Sequence, residues 1–401
     1  MKKESWENIK ILIAGGGQAG GRIAAVFLRN GIPVGIVSRK KETIQEAREE
    51  VSALLSKAGK TSGSKKELDK IFLTGQEIEN ILRAAQDGGN PDFIVFPPEN
   101  VTEEESKKRF LEVEKTVPPR IVLARTNLFE KPENMATETL HPERVVWCFV
   151  YPFALSPSAV EYGGIEKTGE EHLQKTGGLL EKAAKATLRL KNTRPGGAGM
   201  VIISALLLES ARQVEEEFDI SAVEKAARSA FEINEGFLTL MDWMGIQDTV
   251  SFLQDFSRTE SPLFDTYDNF FTVPRIIEKK WEKEKDTPGS APFFVNKRTL
   301  VREPADFMMV DMLKKRFLGV AFMTASEIAG AGLSEPAAVD SFFRQAFGWK
   351  DGPFALMNKT GLEQALRLVT ERMELSHRKE INFPIPRNLI DRTSENKPWP
   401  V

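Results

Sequence analysis

Residues 11–21 read Ile11-Leu12-Ile13-Ala14-Gly15-Gly16-Gly17-Gln18-Ala19-Gly20-Gly21. A short apolar run meets a glycine loop, and a helical pattern follows through Ile23, Ala24, Val26 and Phe27. A second strand pattern, Pro33-Val34-Gly35-Ile36-Val37, then ends in Ser38-Arg39-Lys40. Strand, G-x-G-x-x-G loop, helix and strand in this order form the opening of a dinucleotide-binding βαβ unit. Gly15 permits the tight turn, Gly17 lets the backbone approach a pyrophosphate, and Gly20 lets the helix pack on the strand. Gln18 and Ala19 complete the loop at a helix start, where unpaired N–H groups and the dipole favour an anion. The competing reading is a glycine-rich turn without a ligand, and the flanking strand and helix patterns weigh against it.

The end of the second strand separates the two nicotinamide coenzymes. An acidic residue there binds the adenosine ribose hydroxyls and repels a 2′-phosphate. This chain has Ser38, followed by Arg39, Lys40 and Lys41. Arginine can stack on adenine and fork onto the phosphate. The expected cofactor is therefore NADP(H) in preference to NAD(H). The alternative is that Arg39 to Lys41 simply open a solvated helix.

The pattern continues beyond this unit. Residues 41–60 read as a charged amphipathic helix (Ile44, Ala47, Val51, Leu54, Leu55), with a polar stretch from Gly59 to Lys66. Asp92-Phe93-Ile94-Val95-Phe96-Pro97-Pro98 reads as a buried strand stopped by prolines, and a polar helix follows over Thr102 to Val113. Ile121 to Ala124 and Arg144 to Val150 read as further strands. Strands alternating with helices predict a doubly wound, mostly parallel sheet, whose ligands gather at the carboxyl ends of its strands. The loops Phe96–Asn100 (with Pro97), Arg125–Phe129 (with Asn127) and Tyr151–Glu161 are the candidate site.

Composition narrows the class. The 401 residues suffice for two or three domains, and the 41% apolar and 28% charged fractions are ordinary for a globular protein. A net charge of −3 points to neither a nucleic-acid nor a membrane surface. The start, Met1-Lys2-Lys3-Glu4-Ser5-Trp6, lacks a signal-peptide core. The lone Cys148 excludes an intramolecular disulfide, and His141, His172 and His377 are too widely spaced to suggest a zinc cluster. No metal is expected, and the expected setting is a reducing cytoplasm.

After about residue 195 the strand patterns vanish. A largely apolar helix runs from Met200 to about Phe218, and Asp219 or Ser221 caps the next, Ala222 to Phe231. Gly236 to Ile246 then aligns without a gap with Gly352 to Leu362, each preceded by a helix ending in Ala-Phe (Ala230-Phe231; Ala346-Phe347). This predicts an internal duplication of a helical unit. Between the copies, the charged stretch Glu278 to Asp286, with Pro288-Gly289 after it, reads as a linker or exposed loop.

With these residues in place, the chain resembles the 3-hydroxyacyl-CoA dehydrogenase family. The glycine loop, His141-Pro142-Glu143-Arg144-Val145-Val146, Pro195-Gly196 before the Met200 helix, Gly236 to Ile246, and Ser261-Pro262-Leu263-Phe264 all match its pattern. The resemblance implies a Rossmann domain over 1–194, a first helical domain over 195–290, and a second copy with a tail over 291–401. It also implies a small-molecule substrate, with an acyl thioester among the candidates. One copy commonly drives dimerisation in the family, so two imply a monomeric pseudo-dimer or a homodimer.

The departures are as informative. Cys148 stands at the family's catalytic histidine, in Cys148-Phe149-Val150-Tyr151-Pro152. Glu161 matches the glutamate that orients that histidine if one residue is inserted. Asn127 replaces the substrate-contacting serine, and Met200 aligns with an asparagine of the first C-terminal helix. Proton handling near neutral pH suits histidine, and a thiol is a poorer substitute. Glu161, Tyr151 or Cys148 could serve instead, with Asn127 beside substrate and cofactor. Each also has a structural reading: Cys148 as a small buried hydrophobe, Tyr151 as packing, Glu161 as a loop residue. The first functional reading is an NADP(H)-dependent oxidoreductase acting at a carbonyl or hydroxyl carbon of a different substrate. The others are a conventional 3-hydroxyacyl-CoA dehydrogenase using Cys148 or Glu161, and a non-catalytic NADPH-binding scaffold.

Overall fold

The computed structural model describes residues 9–57, 72–75, 91–98, 102–127, 138–151, 159–258, 269–284, 294–295 and 306–401. The polar stretch Gly59 to Lys66, the Ser261–Phe264 match, Pro288-Gly289 and residues 99–100, 128–129 and 152–158 of the candidate loops lie outside them. The chain forms two compact units, which change over in sequence at Arg189–Leu190.

The first unit is an eight-stranded sheet in the order β3-β2-β1-β4-β5-β6-β7-β8. Its strands are β1 (Ile11–Ala14), β2 (Val34–Val37), β3 (Phe72–Gly75), β4 (Phe93–Phe96), β5 (Val122–Arg125), β6 (Val145–Val150), β7 (Ala159–Gly164) and β8 (Ala186–Arg189). Neighbours pair in parallel except β6 with β7. The chain winds outward on either side of β1, so the crevice for a ligand opens between the carboxyl ends of β1 and β4.

The twofold alternation of a strand assigns the core. Ile11, Ile13, Val95, Ala124 and Val146 face α1 (Gly17–Leu28), α2 (Lys41–Lys57) and α4 (Glu170–Ala183). Leu12, Ile94, Leu123, Val145 and Trp147 face α3 (Glu103–Thr116). Ile11 and Ile13 are 0% exposed, and burying such a side chain contributes about 1.5–3 kcal/mol. Thr102 caps α3, its hydroxyl accepting the Glu105 N–H at 3.2 Å.

The second unit is helical. It holds α5 (Gly199–Glu215), α6 (Ile220–Phe231), α7 (Phe237–Met244), α8 (Ile246–Ser257), α9 (Arg275–Glu284), α10 (Phe307–Gly330), α11 (Pro336–Phe347), α12 (Pro353–Thr360), α13 (Leu362–His377) and α14 (Arg387–Ser394). Both segments expected as helical domains fall within it. Helix α10 packs on α5 and α6 of the first segment as well as on α13 of its own. Asp219 is the cap of α6, accepting the Ser221 N–H at 2.8 Å.

The same local devices recur in both segments at one fixed interval. Helices α6 and α11 each end in a left-handed residue, Glu232 and Gly348. The Glu224 carboxylate of α6 accepts N–H groups of Gly236, Leu238 and Thr239 at the start of α7. The Asp340 carboxylate of α11 accepts those of Phe354 and Ala355 at the start of α12. Gly245 (φ 84°) and Gly361 (φ 88°) each join the short helix to the next in a backbone conformation that favours glycine.

The linker expected at Glu278 to Asp286 is corrected: residues 278–284 belong to helix α9. Its lysines and glutamates are good helix formers, and Ile277 is fully buried where α9 packs on α5 and α8. The charge run is the solvated face of an amphipathic helix.

Candidate functional site

The glycine loop leaves β1 and enters α1 as the motif requires. Gly17 has φ 77°, in the left-handed region favoured by glycine. A Cβ on Gly20 would stand 2.4 Å from the Gly15 carbonyl oxygen, so no side chain fits where α1 meets the loop. Gly16, to which the motif assigns no role, is equally constrained: its Cβ would lie 2.8 Å from the Thr43 carbonyl of α2. Gly16 is also the N-cap of α1 and makes no side-chain cap. No side-chain oxygen of the cap therefore takes the first N–H groups beside Gln18 and Ala19. This suits the pyrophosphate of a pyridine dinucleotide.

At the end of β2, the Ser38 hydroxyl lies 2.6 Å from that of Thr43, which in turn donates to the Lys40 carbonyl at 2.9 Å. These bonds fix the turn into α2. Lys40 is exposed. The Arg39 side chain is 70% exposed, and its Nη2 is 3.7 Å from Glu105. Such an exposed pair holds an arginine weakly.

Across the crevice, the carboxyl ends of β4 and β5 are tied together. Thr126 donates both its N–H (3.1 Å) and its hydroxyl (2.9 Å) to the Phe96 carbonyl. Arg125 is buried, donates to Ser106 Oγ at 3.1 Å, and lies over the Phe110 ring. Buried Pro97 and half-buried Asn127 follow these two strand ends. Thr126 and Arg125, which sequence reasoning does not single out, fix the strand ends that Asn127 follows. A hydroxyl and a guanidinium at a strand end were the available signals.

The β6–β7 hairpin sorts the remaining candidates. Phe149 pairs with Glu161 and Cys148 with Tyr162. Paired residues share a face and neighbours oppose, so Cys148 and Glu161 point to opposite faces of the sheet. Tyr151, two residues beyond Phe149, returns to the Glu161 face. The Tyr151 hydroxyl donates to Glu161 Oε1, and both side chains are buried. Burial, then the negative Glu161 and the bond to it, push the Tyr151 phenol well above its ordinary value. It stays protonated across the physiological range and offers its O–H as a hydrogen-bond donor.

Cys148 is not part of this pair and lies on the opposite face of the sheet. It packs with Val95, Ala124, Val160 and Leu180 in the core beneath α1 and α4. Burial pushes its thiol up to about 12. It behaves as a small hydrophobe. His141 lies at the other end of β6, where its N–H donates to Glu114 at 2.9 Å. Among the described residues no group of His, Cys, Asp and Glu could hold a metal ion, and no helix is long and apolar enough to cross a membrane.

The family model described as 3-hydroxyacyl-CoA dehydrogenase, NAD binding domain, matches residues 10–193. The model of the C-terminal domain of the same family matches residues 312–396. No curated protein matches the chain. Among solved structures, 3-hydroxybutyryl-CoA dehydrogenase from Escherichia coli superposes with a TM-score of 0.74 at 15% identity, over 96% of this chain and 98% of that one. The dehydrogenase part of a multifunctional enzyme from C. elegans gives 0.61 at 15% identity, over 96% and 89%. FadB2 of M. tuberculosis gives 0.55 at 21% identity, over 68% and 93%. At these identities the likeness is one of fold, and it extends through both units.

Proposed function

The chain belongs to the 3-hydroxyacyl-CoA dehydrogenase family, whose members are pyridine-nucleotide dehydrogenases, and from that premise we propose an NADP(H)-dependent oxidoreductase that handles its proton with Tyr151 and Glu161. The observation that carries this reading is the buried hydrogen bond from the Tyr151 hydroxyl to the Glu161 carboxylate at the carboxyl edge of the sheet. In the family a histidine is paired with a glutamate. Here a phenol takes that partner, and Cys148 is left in the core.

The bound nicotinamide supplies or accepts the hydride. Tyr151 holds a proton that burial and the Glu161 charge keep on its oxygen. Reducing a carbonyl consumes one hydride and one proton, and Tyr151 delivers the proton to the substrate oxygen as the alcohol forms. Glu161 orients the hydroxyl. The phenolate left behind is reprotonated from solvent, and in the reverse direction the same phenolate takes the alcohol proton.

With the histidine, serine and asparagine all replaced, the substrate is a carbonyl or hydroxyl compound other than an ordinary 3-hydroxyacyl-CoA. Ser38, Arg39 and Lys40 support NADP(H) as the cofactor, because serine replaces the acidic residue that would end β2 and Arg39, held only weakly by Glu105, can turn to a 2′-phosphate. The recurring carboxylates Glu224 and Asp340 support two helical segments that are copies of one unit, packed as an internal pair. The decisive test follows NADPH oxidation against a panel of carbonyl compounds that includes acetoacetyl-CoA. Tyr151→Phe is expected to lower kcat by about 10²-fold or more while leaving NADPH affinity unchanged. A variant within threefold of wild type would remove Tyr151 from the chemistry.

A further inference from the structure

Within the helical unit, beside α5, α9 and α13, lies a cavity of about 720 Å³ that has no part in the nucleotide site. Its wall carries the cations Arg212, Arg275, Arg372 and Lys379, with apolar surface from Val273, Pro274 and Ile381. The size is that of a small-molecule site and exceeds a bare ion.

The charges on the wall are unevenly matched. Glu209, fully buried behind it, receives Arg316 Nε at 2.7 Å and Arg372 Nη2 at 2.6 Å. Glu216 receives both Nη atoms of Arg316 and the Lys379 ammonium. Glu215 also lines the cavity, and its Oε1 accepts the Ile276 N–H at the start of α9. Glu380 adds a third wall carboxylate. Arg372 and Lys379 are thus each ion-paired.

Arg212 is not. It is 6% exposed. Its Nη2 donates to the carbonyls of Phe270 and Thr272, and its guanidinium lies 4.9 Å from the centre of the Phe270 ring. Its Nη1 is buried with no hydrogen-bond partner, and no carboxylate among the described residues lies within ion-pair distance of it. Burial lowers its pKa to about 10, and the positive charges of Arg372 and Arg316 add to that against the pull of Glu209. A buried cation with an idle donor is unfavourable unless something completes it.

We propose that this cavity binds a small organic anion through a phosphate or pyrophosphate group, held by exposed Arg275 at the rim and by Arg212, whose idle Nη1 turns from its buried position toward the anion, with the organic part against Val273, Pro274 and Ile381. A guanidinium presents its donors as a fork that matches tetrahedral oxyanions. The site is independent of the redox assignment and stands or falls separately from it.

The test is calorimetry of the full chain with inorganic pyrophosphate at constant ionic strength, in which any binding at the glycine loop is left unchanged by Arg275→Ala. Wild type is expected to bind, and Arg275→Ala to bind about tenfold more weakly or worse. Arg212→Met is expected to melt no lower than wild type without the anion, since it removes an unpaired buried charge, and to lose the rise in Tm that pyrophosphate gives wild type. Arg275 is exposed, so its variant decides the matter even if Arg212→Met fails to fold. Absence of pyrophosphate binding, or binding untouched by Arg275→Ala, overturns the site. Equal binding of citrate overturns the assignment to phosphate.

Discussion

Replacing Glu209 by glutamine tests how the helical unit is held together. Glu209 is 0% exposed and contacts Arg316 Nε (2.7 Å), Arg372 Nε and Nη2 (3.1 and 2.6 Å) and Gln213 Nε2 (3.1 Å). Burial by itself would raise its carboxyl, but Arg316, Arg372 and Arg212 hold it down to about 2, from an ordinary 4.5. That displacement corresponds to about 3 kcal/mol. The variant keeps the shape and one acceptor oxygen but removes the charge, so buried Arg372 is left without an anionic partner beside Ser376 and the Phe383 ring. Breaking a buried pair in this way costs about 3–5 kcal/mol. For a unit of this size the loss lowers Tm by about 6–20 °C. The sheet unit has its own core, so calorimetry should show only the helical transition moving.

The pH dependence fixes the sign. A carboxylate whose native pKa is depressed contributes stability that is complete above 4.5 and lost as pH falls through about 2. The gap between wild type and Glu209→Gln should therefore be widest above pH 5 and narrow on acidification. Adding Arg372→Met should recover part of the loss, because the two side chains are coupled. A deficit below about 1 kcal/mol, or one that grows on acidification, would show that the network does not stabilise this unit.

Arg39→Ala should reduce the excess of the NADPH-induced Tm shift over that of NADH, because a ligand of the native state stabilises by mass action; equal shifts in wild type would discard the 2′-phosphate argument. Cys148→Ala should keep kcat within about twofold and lose about 1 kcal/mol of stability in urea unfolding, and a tenfold fall in kcat would return the thiol to the chemistry. Asp340→Ala and Glu224→Ala should each destabilise the helical unit by about 1–2 kcal/mol, since each strands N–H groups at a helix start. Markedly unequal losses would count against equivalent positions in two copies.

Much of this protein is written in local patterns. Ile11 to Gly21 determines strand, loop and helix because glycine and apolar periodicity act on neighbouring residues. The alignment of Gly236 with Gly352 locates matching helices for the same reason. Side-chain direction is a different matter. Whether Cys148 or Tyr151 meets Glu161 depends on the register of β6 against β7, and a shift of one residue exchanges the two faces. Glu278 to Glu284 reads as a linker in the sequence because a solvated helical face and a charged loop share a composition, and the packing of Ile277 separates them. Glu209 and Arg212 interrupt an apolar helix in the sequence, but Arg316 and Arg372 reach Glu209 only in the folded unit. Local chemistry is set by the chain's neighbours in sequence, whereas pairing of distant charges and strands is set by where the chain returns to itself.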